Sequence, residues 1–317
     1  MLSWLLKRVI QYCSKGPNGN KLNVLTYHRV DEYVDPLKPH TLKLSLLRSQ
    51  LKWLKKYFNV LSLPEAIELM ERGELPAGAV CISIDDGYSD CYYHIYQALK
   101  EESLTANFFI TTEGISEGGL WDEFVINAIS FAPNTLGHIH LNDKVYDIST
   151  FRKRQESQSE ILETIKYMTL DERQRVIENI YEQTRAPKPT PAFLSPNQIK
   201  EMHEGGMTIG AHTHNHPIMQ VEEISVCEEQ VTKGRQILED IIGEPVDYFA
   251  FPNGKINKDF SEEHCILLEK LGFKGALSTN WGTLGDLSND RFKIKRFTPW
   301  DETEWRFCFR LALNYRN

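Results

Sequence analysis

Two short stretches hold the residues best suited to chemistry. Asp85 and Asp86 stand side by side before Gly87, and His212 and His216 stand four residues apart in His212-Thr213-His214-Asn215-His216. Adjacent carboxylates after an apolar run are electrostatically costly unless a cation neutralises one of them. Within a regular strand they would point to opposite faces, so both reach one site only where the strand ends, and Gly87 permits that change of direction. Two imidazoles at this spacing come to the same side of one helical turn or of a tight loop. Two histidines and one aspartate make a three-ligand set for a divalent ion that leaves positions open for water and substrate, the pattern of catalytic rather than structural zinc. The same set describes the facial triad of non-haem iron oxygenases. A second aspartate, and a carboxylate that precedes both histidines, fit hydrolysis better.

The elements around these residues follow the alternation of an α/β chain. Seven short apolar runs, at 22–27, 79–84, 105–111, 207–211, 247–251, 274–278 and 292–297, read as strands buried on both faces. Amphipathic stretches at 43–57, 64–72, 90–102, 196–204, 221–242 and 258–271 predict helices between them; Ser195 before Pro196 and the pair Gly205 and Gly206 mark the ends of one. The region 118–192 carries no buried strand and predicts a mainly helical insertion, with a helix over 121–131, a small hairpin over 138–148 and helical spacing over 151–185. It leaves the barrel at the metal rim, where it is expected to shape substrate choice and leave metal affinity alone, or to form a homodimer interface. Parallel α/β folds gather functional groups at the carboxyl ends of their strands. His28 follows the first run, the aspartates the second, the histidines the fourth, Asn253 the fifth and Trp281 the sixth, and Arg296 stands near the end of the seventh.

With 317 residues, 41% hydrophobic and 25% charged, the chain has apolar surface for a sizeable core. Its formal charge of −8 argues against broad nucleic-acid binding, which needs a surplus of Lys and Arg. The six cysteines form no CxxC pair and read as reduced thiols of a cytosolic chain. Residues 1–13 set Leu2, Trp4, Leu5, Leu6, Val9 and Ile10 around Lys7 and Arg8. That run is too short to cross a bilayer and lacks a cleavage site, but it suits weak contact with an anionic membrane surface. The expected organisation is an amphipathic helix and hinge over 1–21 and one α/β domain over 22–317, in the cytoplasm or at the inner face of the membrane.

The motifs around these residues point further. Ile82-Ser83-Ile84-Asp85-Asp86-Gly87 resembles the aspartate-aspartate-glycine motif of the polysaccharide deacetylases, carbohydrate esterase family 4, and His212-Thr213-His214-Asn215-His216 fits their H-[ST]-x-x-H motif. Leu25-Thr26-Tyr27-His28-Arg29-Val30 and Phe249-Ala250-Phe251-Pro252-Asn253-Gly254 resemble the branch that acts on bacterial surface polysaccharides. The resemblance spans about 22–299. It implies a distorted seven-stranded (β/α) barrel and metal-dependent removal of an N-acetyl group from an acetamido sugar, in a polymer or in a lipid- or nucleotide-linked precursor. By motif position Asp86, His212 and His216 would hold one divalent ion, zinc first, with cobalt, nickel or iron as alternatives. Asp85 would be the general base, and a backbone N–H near Asn253 would share the oxyanion charge.

Two places depart from the family pattern. Ala250 and Asn253 stand where the family usually has an arginine and a tyrosine, and the late histidine that serves as acid is missing. Arg296 is expected to replace the guanidinium in part, and His28 is the first choice for the acid. Trp281, with Trp300 and Tyr88, is a candidate sugar platform. The rival readings are a metal-dependent amidohydrolase of small cyclic amides and a carbohydrate-binding protein with impaired catalysis.

Overall fold

The computed structural model describes residues 2–33 and 41–316. Met1 and the side chain of Leu2, part of the amphipathic face expected at the N-terminus, lie outside that range. Numbering only the strands of the central sheet, these are β1 (Asn23–Tyr27), β2 (Asn59–Val60), β3 (Ala79–Asp86), β4 (Asn107–Ile110), β5 (Thr208–Ala211), β6 (Tyr248–Ala250) and β7 (Gly275–Leu277). All pair in parallel in the order β7-β6-β5-β4-β3-β1, with β2 bonded to the start of β3. The sheet curls into a distorted barrel.

The seventh run expected from the sequence, 292–297, forms isolated bridges instead of a strand. Ile294 bridges Leu277 on one sheet edge and Phe297 bridges Leu25 on the other. The segment crosses from edge to edge and pairs with neither for long enough to form a ladder, which closes the barrel and turns Arg296 inward. The seventh strand of the sheet is the two-residue β2, too short for a sequence pattern to show. The helix Glu304–Asn314 was likewise not anticipated.

Period-two alternation along β3 explains the site. Val80, Ile82 and Ile84 face outward into the main core beneath the helices, while Ala79 and Cys81 enter the core inside the barrel. The inward row continues with Ser83 and Asp85, both buried, so the barrel interior passes from apolar at its base to polar at its carboxyl end. All six cysteines are unpaired and buried, as small hydrophobes are.

The insertion has a core of its own. Helix Trp121–Ser130, the hairpin His138–Leu141 with Lys144–Asp147, and helices Phe151–Ile165 and Leu170–Thr184 bury Val125, Ile129, Ile139, Ile161, Ile177 and Ile180 against one another. Thr169 and Glu172 form a capping box that starts the last of these helices.

Candidate active site

β3 stays in register with β4 through Asp86, which pairs with Ile110. Asp85 faces inward by alternation, and Asp86 would face away. A left-handed backbone at Asp86 (φ 79°), followed by Gly87 (φ 103°), turns the second carboxylate toward the same cleft. A Cβ at Gly87 would come within 2.8 Å of the Ile110 side chain, so glycine is required there by both φ and space. Thr213 (φ 66°), His216 (φ 52°) and Asn253 (φ 57°) share the left-handed conformation. Of the eight non-glycine residues with positive φ among the described residues, three line the cleft and a fourth, Thr213, lies in the loop between the two histidines, the concentration of backbone strain expected at a functional site.

The Nε2 atoms of His212 and His216 each lie 3.6 Å from Asp86 Oδ1. The three ligand atoms all fall within 4.8 Å of one another, close enough to share one ion. His212 Nδ1 sits 2.6 Å from the carbonyl oxygen of Ala250, at the end of β6; as the donor there, it leaves the Nε2 lone pair facing the cluster. Burial, and then the neighbouring His212, push His216 down to about 3, so His216 is a neutral imidazole and a competent ligand. His214, between them, turns away: its Nδ1 lies 2.8 Å from Thr112 Oγ1, and burial with Lys233 nearby pushes it down to about 4.

Asp85 belongs to a different network. Arg296 Nη1 donates to its Oδ1 at 2.8 Å, and Nη2 lies 2.8 Å from Oδ2. The guanidinium is itself positioned by donation to Ser83 Oγ at 3.2 Å and to the Ser278 carbonyl at 2.8 Å. Burial alone would raise the Asp85 carboxyl; Arg296 and then His212 outweigh it and hold the group below its ordinary value. A guanidinium thus reaches Asp85 from the segment that closes the barrel. His28 stands on the exposed lip with Nε2 4.0 Å from Asp85 Oδ2.

His28, Asp85, Asp86, His212 and His216 line a cleft of about 500 Å³, which Asn253 and Trp281 also border. Trp281 is 54% exposed and stacks on Trp300 with centroids 5.2 Å apart. Tyr88 is no sugar platform: it is buried beneath Arg29, which lies 4.0 Å over its ring.

Sequence reasoning missed what the insertion contributes. Trp121, Asp122 and Lys166 line the cleft from the opposite side. Asp122 accepts a hydrogen bond from Tyr88 Oη at 3.2 Å; burial, then Glu123 and Asp86, push its carboxyl up to about 6. Arg173, only 3% exposed, donates to the carbonyls of Asn215 (2.7 Å) and His216 (3.1 Å), and its guanidinium lies 4.7 Å over the Trp121 ring. Its signal was an arginine among the isoleucines of an amphipathic helix, which in sequence reads as a solvated residue.

The polysaccharide deacetylase family model matches residues 72–276. The chain belongs to the polysaccharide deacetylase family. Its fold is shared with the Streptococcus pyogenes deacetylase PplD in complex with acetate, at 18% identity and TM-score 0.60, over 88% of this chain and 92% of that one. A de-N-acetylase from Aggregatibacter actinomycetemcomitans aligns at 18% identity and TM-score 0.59, over 92% of this chain and 100% of its own. IcaB from Ammonifex degensii aligns at 18% identity and TM-score 0.59, over 93% and 98%. No curated protein matches the chain. Family membership makes the chain a deacetylating hydrolase.

Proposed function

We propose that the chain is a metal-dependent de-N-acetylase acting on an acetamido sugar of a surface polysaccharide or of its precursor. The observation that carries this reading is the separation of two carboxylates by role: Asp86 converges with two imidazoles, while its neighbour Asp85 is held ionised by a buried guanidinium. The donor set suits a divalent cation, since three ligand atoms converge and one histidine is oriented by a backbone acceptor. We assign Asp86, His212 and His216 as its ligands and zinc as the first choice of metal. A cation there would polarise the acetamide carbonyl and acidify water.

Asp85 takes a proton from the water that adds to the acetamide carbon. The backbone N–H of Asn253 donates to the oxygen that gains the electron pair. As the C–N bond breaks, His28 gives a proton to the departing amine. The products are acetate and the free amino sugar. Trp281 presents an aromatic face to the sugar ring.

The test is acetate release from a panel of acetamido-sugar polymers and nucleotide sugars, with zinc, cobalt or nickel supplied. Wild-type protein releases acetate from at least one member; Asp85→Asn keeps the metal and loses about 10²–10⁴ in rate, the usual cost of removing a general base. No acetate from any member would assign the chain to carbohydrate binding without turnover.

A further inference from the structure

Helices Leu2–Cys13 and Glu304–Asn314 pack side by side on the outside of the barrel. Inward they give Leu6, Ile10, Phe307 and Leu311 to the main core. A helix seated this way ordinarily turns a polar face to water. Here Trp4, Leu5 and Tyr12 of the first helix and Trp305, Phe309 and Leu313 of the second stand 44–68% exposed. Six of the fourteen large apolar side chains exposed among the described residues thus fall on two short helices. Trp305, Phe309 and Leu313 recur every four residues and form one stripe. The Arg316 guanidinium lies 4.8 Å over the Tyr12 ring and joins the outward faces of the two helices. The patch is on the order of several hundred Å², the range in which exposed apolar surface marks an interaction site.

The charges set among these rings favour one partner. Lys7 and Arg8 are exposed on the first helix, which contains no acid. Arg306 and Arg316 are exposed on and just after the second. Its one acid, Glu304, is engaged by Lys56 and by the Tyr57 hydroxyl, and Glu302 just precedes it. On a chain of formal charge −8, this face is locally basic. Arg8 lies 4.6 Å over Trp4, its stem along the ring and its charge outward.

We propose that this two-helix face docks on an anionic lipid surface, with the aromatic rings at the level of the headgroups and the cations facing lipid phosphate. The face adjoins the cleft. Arg310 of the second helix lies 4.7 Å over Trp300, which stacks on the Trp281 platform. A docked chain therefore holds its cleft beside the bilayer, within reach of a glycan carried on a lipid. The docking rests on no chemistry in the cleft, so it stands or falls separately from the activity.

Co-sedimentation of the full chain with phosphatidylcholine vesicles, with and without phosphatidylglycerol, tests this. Wild-type protein pellets with the anionic vesicles, and added salt weakens the binding. Both the pair Trp305→Ser/Phe309→Ser and the pair Arg8→Gln/Arg306→Gln lower the partition roughly tenfold, with circular dichroism unchanged. Tryptophan emission shifts to the blue on binding in the wild type only. Equal binding to neutral vesicles, no binding, or patch variants that pellet like wild type would each overturn the proposal. A dimer in sedimentation velocity that the Trp305/Phe309 variant dissolves, with vesicles ignored, would assign the face to a second copy instead.

Discussion

Among single residues, Asp85, proposed above as the base, and Arg296 form one hydrogen-bonded pair. A buried carboxylate without a counter-charge would be protonated at neutral pH, and Arg296 prevents that for Asp85. Arg296→Met should therefore cost about 3–5 kcal/mol of stability, as loss of one member of a buried pair does. It should also shift activity: with the Asp85 carboxyl no longer held down, the acid limb of the kcat/KM–pH profile moves to higher pH. Arg296→Lys keeps the charge, loses the fork and should lie between the two. An unmoved acid limb in Arg296→Met would detach Asp85 from catalysis. Asp122 carries the opposite shift. Its native carboxyl is pushed up to about 6 from an ordinary 3.8, so ionising it costs more in the folded state than in the unfolded one. That penalty is absent below 3.8, grows as pH rises and is complete above about 6. Asp122→Asn keeps an acceptor for the Tyr88 hydroxyl and removes the charge. In metal-stripped protein it should gain about 1–3 kcal/mol at pH well above 6 and little in acid, read from urea melts at both pH values. Equal gains at both would exclude the charge as the cause.

Among the elements, the 212–216 loop, which carries the two proposed histidine ligands, is braced from two sides. Behind it, Gly234 of helix Ile224–Ile242 lets that helix approach the backbone of Thr213, where a Cβ would come within 2.9 Å of the carbonyl oxygen. In front of it, helix Leu170–Thr184 sends Arg173 to the carbonyls of Asn215 and His216. The expectation that the insertion leaves metal affinity alone is thus at odds with the geometry, because Arg173 fixes the loop that presents His216. Arg173→Met should weaken cobalt binding about 10–100-fold, the usual cost of losing an outer-shell partner, with the insertion still folded on its own core. The cobalt absorption spectrum should change, and Arg173→Lys should restore part of the affinity. Unchanged affinity in Arg173→Met would return the insertion to substrate choice alone.

Across the full chain, the ligands proposed above join the ends of β3 and β5, so an ion bound there would tie distant parts of the chain and stabilise the fold against an unfolded chain that has no such site. At free metal about a hundredfold above Kd, the gain should be about 2.7 kcal/mol. Burial alone would lower His212, but the hydrogen bond to Asp86 and the charge of Asp85 outweigh it and raise the imidazole above its ordinary 6.5. Protons then compete with metal as pH falls through that raised value, so the metal-induced rise in Tm should shrink as the medium is made more acidic. A rise that ignores pH would remove His212 from the ligand set. The order of amino acids alone specifies the alternating strands and helices, the helical insertion, and the two motifs at strand ends. It could do so because buried strands, caps and metal-ligand spacing are local patterns within a few residues. The folded chain is needed to see that Arg296 reaches Asp85 across 211 residues, that Arg173 reaches the 212–216 loop across 43, and that Asp122 enters the cleft. Each of these contacts is made by an ordinary polar side chain with no local pattern around it, and its role follows only from the curl of the sheet and the path of the insertion over its rim.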